Sequence, residues 1–134
     1  MNQPHERKFC LMIKTLVIDD VRTIDESYLP GHEFTHARNS NDGIDLLEDD
    51  IFESLILDYH LFENNVNESD NGRRVTHWLR HHSDTLKNLK NIYLITTDER
   101  MAQLMLSDIN RSNNKYITVT VSDIGKNWNW RNGR

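Results

Sequence analysis

Acidic or hydroxyl side chains follow three short apolar runs of this sequence, and these residues are Asp19, Asp20, Asp58, Thr96 and, after Thr97, Asp98. A short apolar run is typical of a strand buried on both faces, as in a parallel sheet. Because the carboxyl ends of such strands line the crevice where ligands bind, we expect one shared acidic site. Clustered carboxylates repel one another unless a cation joins them, and hard oxygen ligands suit Mg²⁺. The sequence therefore predicts one acidic site at these strand ends, of a kind that suits Mg²⁺.

Each of these residues also has a purely structural interpretation. Asp and Thr often end strands as turn formers, or cap the helix that follows. We interpret Asp98 as the N-cap of the next helix, and Thr97 is an alternative cap that would leave Thr96 to face the site. Three strand ends that carry such groups together favour a binding site over three unrelated turns.

The elements that would position these side chains alternate between strands and helices. Strands are predicted over 14–19, 32–38, 52–58, 91–96 and 116–121, and helices over 23–28, 43–48, 72–82 and 98–110. In the third helix, the spacing of Val75, Trp78, Leu79 and His82 is typical of a core face. Alternation of this kind predicts a parallel sheet with right-handed crossovers. The expected fold is an α/β, flavodoxin-like three-layer sandwich of five strands in the order 2-1-3-4-5.

Length and composition exclude several classes of protein. The chain has 134 residues, a net charge of −5 and 37% hydrophobic residues, which suits one soluble domain. No apolar stretch approaches the roughly 18 residues of a membrane span, and the N-terminus lacks a secretory signal pattern. Cys10 is the only cysteine, so no internal disulfide forms and a reducing compartment fits. We expect a cytoplasmic protein with an N-terminal extension over 1–12, one domain over 13–121 and a tail over 122–134.

Four short motifs occur in order within that domain. They are Val17-Ile18-Asp19-Asp20-Val21-Arg22, Leu57-Asp58-Tyr59-His60-Leu61, Asp70-Asn71-Gly72 and Val75-Thr76-His77-Trp78-Leu79. The set resembles the receiver domains of response regulators, and most closely their divergent cyclic-phosphate-processing receiver-like branch. The resemblance implies a CheY-like fold and a role in signal transduction or a phosphorelay. The usual last helix is expected to be short or missing, because the tail has no room for it.

The resemblance also implies roles for individual residues. Asp19, Asp20 and Asp58 would hold Mg²⁺, and Asp58 would accept a phosphoryl group. Thr96 or Thr97 would hydrogen-bond a phosphoryl oxygen.

One cation of ordinary receivers is missing from its usual place. They carry a lysine at the end of strand five, whereas the nearest lysine here, Lys126, comes several residues late. Arg22 is the candidate that would supply this cationic contact instead. The alternative is that Arg22 forms a surface ion pair with Asp25 or Glu26.

His60 has three interpretations. It stands two residues after Asp58, hence on the same face of an extended segment. It would act as a general acid or base on a phosphate ester, ligate a transition metal with Asp58, or simply pack in a loop. The related branch usually has His and Asp where this chain has Tyr59 and His60. We interpret the helix histidines His77 and His81 as solvated surface residues.

Three functional hypotheses follow. The chain is a stand-alone receiver-like signalling module with a magnesium-binding acidic pocket, a phosphoesterase that uses His60 and Arg22 on a cyclic phosphate, or a catalytically silent pseudo-receiver that binds proteins. We favour the first, with Asp58 as phosphoacceptor, and make no prediction of turnover.

Partners are predicted from the same features. We expect another protein, a kinase or an effector, or a phosphorylated small molecule. Trp128, Trp130, Arg131 and Arg134 have the composition of a surface that stacks on single-stranded nucleic acid, but the negative net charge disfavours nucleic acid. Coverage of a sheet edge or face explains the two tryptophans better.

Overall fold

A parallel sheet organises the molecule. The computed structural model describes residues 12–61, 70–111 and 118–121, the last range by its backbone alone. The strands are β1 (Ile13–Ile18), β2 (His32–Ala37), β3 (Ser54–Leu57), β4 (Asn91–Leu94) and β5 (Thr118–Val121). They are ordered β2-β1-β3-β4-β5, and every pair is parallel. The predicted α/β class and the order 2-1-3-4 are thus confirmed, and the backbone of β5 pairs with β4. The prediction about a last helix concerns residues outside the described part.

Four helices are described, namely α1 (Ser40–Asp49), α2 (Gly72–Arg80), α3 (Ser83–Leu86) and α4 (Glu99–Asn110). The predicted helix over 23–28 is wrong, since this segment forms turns. The Asp25 carboxylate accepts hydrogen bonds from the backbone N–H and hydroxyl of Ser27, at 2.9 and 2.5 Å. A short polar side chain that bonds its own neighbours in this way competes with helix formation.

The larger part of the core lies between one face of the sheet and the helices. Alternate residues of the central strands point to this face because side chains of a strand alternate with a period of two. They pack against helix residues that include Leu47, Val75, Leu79 and Met105. His82, which we expected on the core face of the third helix, lies beyond α2, is exposed and stacks on Trp78. The opposite face holds a smaller cluster of Val17, Ile24, Ile56 and Ile95.

The sheet ladder extends one residue past the strands that carry the acidic residues. Asp19 N–H donates to the Ala37 carbonyl and Asp58 N–H to the Ile18 carbonyl, both at 3.1 Å. Ile18 and Leu57 are register partners of neighbouring strands. The residues that follow them therefore leave the sheet side by side.

Helix α2 begins directly against the end of β3. Gly72 N–H donates to the Tyr59 carbonyl at 2.7 Å, and a Cβ at Gly72 would collide with the Asp58 carbonyl oxygen. Only a residue without a side chain permits this approach. The start of α2 is thereby fixed relative to Asp58.

Candidate functional site

The carboxylates of Asp19, Asp20 and Asp58 converge at the carboxyl end of the sheet. One oxygen of each lies within 4.8 Å of the others, and no more than 3% of any of these residues is exposed. The strands deliver them together because β1 and β3 are neighbours and end at the same level. We call these three residues, together with Arg22, the acidic pocket.

Asp19 serves both the turn and the pocket. Its Oδ1 accepts hydrogen bonds from the backbone N–H groups of Val21 and Arg22, at 3.0 and 2.9 Å, which ends β1 in a turn. Its Oδ2 lies 2.8 Å from Nε of Arg22. The turn-forming interpretation of Asp19 is therefore confirmed for one oxygen, while the other oxygen faces Arg22.

Arg22 is the cation of the pocket. It is 2% exposed, so the alternative of a surface ion pair is wrong. Besides its contact with Asp19, its Nη2 donates to Asp58 Oδ2 at 3.0 Å and its Nη1 to the Ile95 carbonyl at 3.5 Å. The guanidinium thus spans the ends of β1, β3 and the segment after β4. Its planar fork of donors suits this bridging of two carboxylates.

The pocket carries more negative than positive charge. Burial raises the pKa of Asp19 to about 6 from its ordinary 3.8, and the Asp58 charge adds to this, while Arg22 and the backbone hydrogen bonds oppose it. Three carboxyl groups face one guanidinium, so ionisation of all three would leave a surplus of two negative charges. Buried carboxylate oxygens with this surplus fit a hard divalent cation such as Mg²⁺.

Thr96 and Asp98, which follow β4, have different roles. Thr96 is buried, and its hydroxyl oxygen accepts from Asp98 N–H at 3.1 Å. Asp98 caps α4 by accepting from Met101 N–H at 3.2 Å, so the prediction of this N-cap is confirmed. Thr97 is exposed and is not the cap. The Thr96 hydroxyl keeps its own proton for donation to a further group.

His60 lies beside Asp98. Its Nε2 is 3.7 Å from Asp98 Oδ2, and both side chains are more than one third exposed. Its ring meets the Tyr59 ring edge-on, with 4.9 Å between centroids. His60 does not belong to the group of converging metal-ligand atoms that the described residues form. The transition-metal site that His60 would share with Asp58 stays a prediction.

Two residues that hold the segment after β1, Arg38 and His36, were not predicted from the sequence. Arg38 Nη1 donates to the carbonyls of Asp19 and Arg22, and His36 Nε2 accepts from Ile24 N–H at 3.1 Å. Burial is the main cause that lowers the His36 pKa, and the neutral ring serves as acceptor. Arg38 could have been found from the sequence, because it directly follows β2 and therefore lies at the same edge of the sheet as Asp19.

Comparison with known proteins identifies the family. The family model described as the cyclic-phosphate processing receiver domain matches residues 14–111. The chain belongs to this family. The resemblance found in the sequence motifs is thereby confirmed for this receiver domain.

Solved structures support the same fold. Nine chains match this receiver domain. Among them, the phosphorylated cyanobacterial phytochrome response regulator RcpA superposes with a TM-score of 0.53 and 10% sequence identity, over 84% of this chain and 81% of that one. At this identity the likeness shows the CheY-like receiver fold. Comparison with curated proteins gave no match. Among the described helices of this receiver domain, none combines the length and apolar character needed to cross a membrane.

Proposed function

We propose that this receiver domain is a regulatory module that binds Mg²⁺ through Asp19, Asp20 and Asp58 and accepts a phosphoryl group on Asp58. The observation that carries the proposal is the convergence of these three buried carboxylates, within 4.8 Å, beside one arginine. A stable domain without such a role would gain by replacing one of them, because unbalanced buried charge is costly. A cation that binds there offsets this cost.

The metal would be held by the three aspartates, and when bound it neutralises the negative charge of the pocket and of an incoming phosphoryl group. The chain's own residues meet that group from other sides. Arg22 Nη2 already lies 3.0 Å from Asp58 Oδ2 and is positioned to contact the phosphoryl oxygens. The Thr96 hydroxyl would donate to one of the same oxygens.

Asp58 is the proposed nucleophile. Its Oδ1 accepts from Tyr59 N–H at 2.8 Å, which holds the carboxylate in a fixed orientation. A carboxylate oxygen forms a bond to phosphorus while the donor's bond to phosphorus breaks, and the leaving group keeps the electron pair. We propose that the donor is another protein, such as a kinase, or a small phosphorylated molecule, and that an effector protein reads the result.

Beryllofluoride tests this function, because it stands in for a phosphoryl group on an aspartate. We expect amide chemical shifts around Asp58, Arg22 and Thr96 to change when beryllofluoride and Mg²⁺ are added together. The change should vanish in Asp58→Asn and persist in Asp84→Asn, whose side chain is fully exposed. The same response in both variants, or none with saturating Mg²⁺, would contradict phosphoacceptance and leave a silent protein-binding receiver.

A phosphoesterase is the second candidate. The family description refers to cyclic phosphates, and the half-exposed His60 beside Asp98 resembles an imidazole oriented by a carboxylate. Turnover of a 2′,3′-cyclic nucleotide would support it if His60→Ala removes the activity. Asp98→Asn should lower the activity while keeping the helix cap, since Asn also caps helices. Hydrolysis that survives His60→Ala would exclude this role for the histidine.

A further inference from the structure

A cleft lined by basic side chains lies at the start of α2, apart from the acidic pocket. Its volume is about 440 Å³, and it is lined by Tyr59, Asn71, Arg73, Arg74 and His77. We call it the cationic cleft. None of these described lining residues is a carboxylate, although the chain as a whole carries a net charge of −5. A local basic surface on an acidic chain is a candidate for anion binding.

Arg73 is held ready for such a ligand. Its Nε and Nη2 donate to the two oxygens of Asp108, each at 3.1 Å, which fixes the plane of the guanidinium. Asp108 is itself buried and also accepts from the Thr76 hydroxyl at 2.9 Å. The remaining guanidinium N–H groups of Arg73 have no acceptor among the described residues, and 42% of its side chain is exposed. A guanidinium that is already ordered loses little entropy on binding.

Arg74 supplies the surplus positive charge, because Asp108 offsets the charge of Arg73. Its single side-chain hydrogen bond within the described residues runs to the neutral Asn41 side chain, at 3.2 Å. His77 stands one helical turn after Arg73, on the same side of α2, and is exposed. Arg73, Arg74 and His77 all line the cleft. Together they offer more hydrogen-bond donors than the two oxygens of a carboxylate ligand could accept.

From these observations we infer that the cationic cleft binds a small phosphate monoester. Such a group carries nearly two negative charges and three strong acceptor oxygens, which match two arginines and a histidine. The cleft exceeds the size of phosphate alone and falls within the range of small-molecule sites, roughly 300–1,000 Å³. The Tyr59 ring forms the part of the lining where an organic group would lie. This site goes beyond the proposed function, since it needs neither Mg²⁺ nor Asp58.

An NMR titration with inorganic phosphate tests the site, in the presence of EDTA and against chloride at matched ionic strength. We expect saturable shifts of the Arg74 and His77 amides. Arg74→Gln should weaken binding about tenfold, the loss of one charge-assisted hydrogen bond. Arg74 is exposed, so this change leaves the fold intact. Arg100→Gln, an exposed arginine of α4 outside the cleft, is the matched control and should bind as the wild type does.

Two results would overturn the inference. One is equal weakening in both variants, which would mean unspecific charge attraction. The other is a set of shifts confined to the surroundings of Asp58 and abolished by Asp58→Asn. Because EDTA removes Mg²⁺, failure here leaves the beryllofluoride experiment untouched, and the reverse also holds.

Phenyl phosphate tests the ester part of the proposal. We expect it to bind more tightly than inorganic phosphate, because its ring contacts Tyr59. Tyr59→Leu should remove this difference while the binding of inorganic phosphate is retained. Equal affinity of the two probes in the wild type would overturn the assignment to a monoester.

Discussion

Asp19 and Asp108 are both buried carboxylates that face an arginine, yet their surroundings act on them in opposite directions. Burial would raise the pKa of Asp108, but hydrogen bonds from Arg73 and Thr76 outweigh it and lower that pKa. Burial raises the pKa of Asp19, and the neighbouring Asp58 charge raises it further, more than Arg22 offsets. A buried carboxylate that is well supplied with hydrogen-bond donors, such as Asp108, has a structural role. A buried carboxylate next to other carboxylates, such as Asp19, marks a candidate site for binding a positive charge.

Among the tests of this comparison, we expect the largest effect on stability from removal of the Arg73 guanidinium. Arg73→Gln leaves Asp108 buried without its principal partner, and we expect the free energy of unfolding to fall by about 3–4 kcal/mol. The lower part of the usual range applies because 42% of the Arg73 side chain is exposed. Urea denaturation measures this, with Arg100→Gln as the control, which should change stability by less than about 0.5 kcal/mol. Equal losses would mean that the Arg73–Asp108 pair contributes nothing.

The pH dependence separates the two carboxylates by sign. Without Mg²⁺, the folded chain keeps a proton on Asp19 that the unfolded chain releases near 3.8, so stability falls as the pH rises toward about 6. The contribution is about 3 kcal/mol. Asp108 contributes in the opposite sense, since stability from its lowered pKa is lost as the pH falls. Urea denaturation across this window should show a flatter slope in Asp19→Asn, and an unchanged slope would refute the assignment.

Mg²⁺ should relieve the pocket and leave the Asp108 site unaffected. At one hundred times its dissociation constant, a bound ion stabilises the folded chain by about 2.7 kcal/mol. Thermal unfolding with and without Mg²⁺ measures the gain, which should be lost in Asp20→Asn and kept in Asp84→Asn. The gain should also shrink below about pH 6, because Asp19 must be ionised to bind the ion. A gain that Asp20→Asn preserves would locate the ion elsewhere.

The smallest expected effect is a pair of stability changes that have opposite signs. Without Mg²⁺, Asp58→Asn removes one of three repelling charges, and we expect a stabilisation of about 1 kcal/mol. Asp108→Asn should destabilise, because it weakens the hydrogen bonds from Arg73 and Thr76. Both are measured by urea denaturation at neutral pH. Changes of the same sign would mean that the two sites do not differ as described.

The sheet and the acidic residues were predictable because their signals are local. A fully apolar strand followed by aspartate is visible in a few letters of sequence, and the parallel order then brings the strand ends together. Asp19, Asp20 and Asp58 required no further information. The cap at Asp98 was equally visible, because an acidic residue before a helical pattern has a well-defined role.

The remaining features depend on partners that are distant in sequence. Arg22 stands near Asp25 and Glu26, and only the placement of β3 and β4 shows that it is buried. The cationic cleft depends on Asp108, which lies 35 residues after Arg73 and orders it. The helix predicted over 23–28 failed for a different reason, since hydrogen bonds within the segment formed turns instead. Tertiary contacts and local side-chain bonds both override a weak helical pattern.

Gly72 joins the acidic pocket to the start of the cationic cleft. Its backbone lies against the Asp58 carbonyl with no room for a side chain, and the residues right after it, Arg73 and Arg74, line the cleft. A displacement of the Asp58 backbone toward α2 would therefore meet the first turn of that helix. A protein bound to that turn would lie next to the Asp58 backbone and outside the acidic pocket.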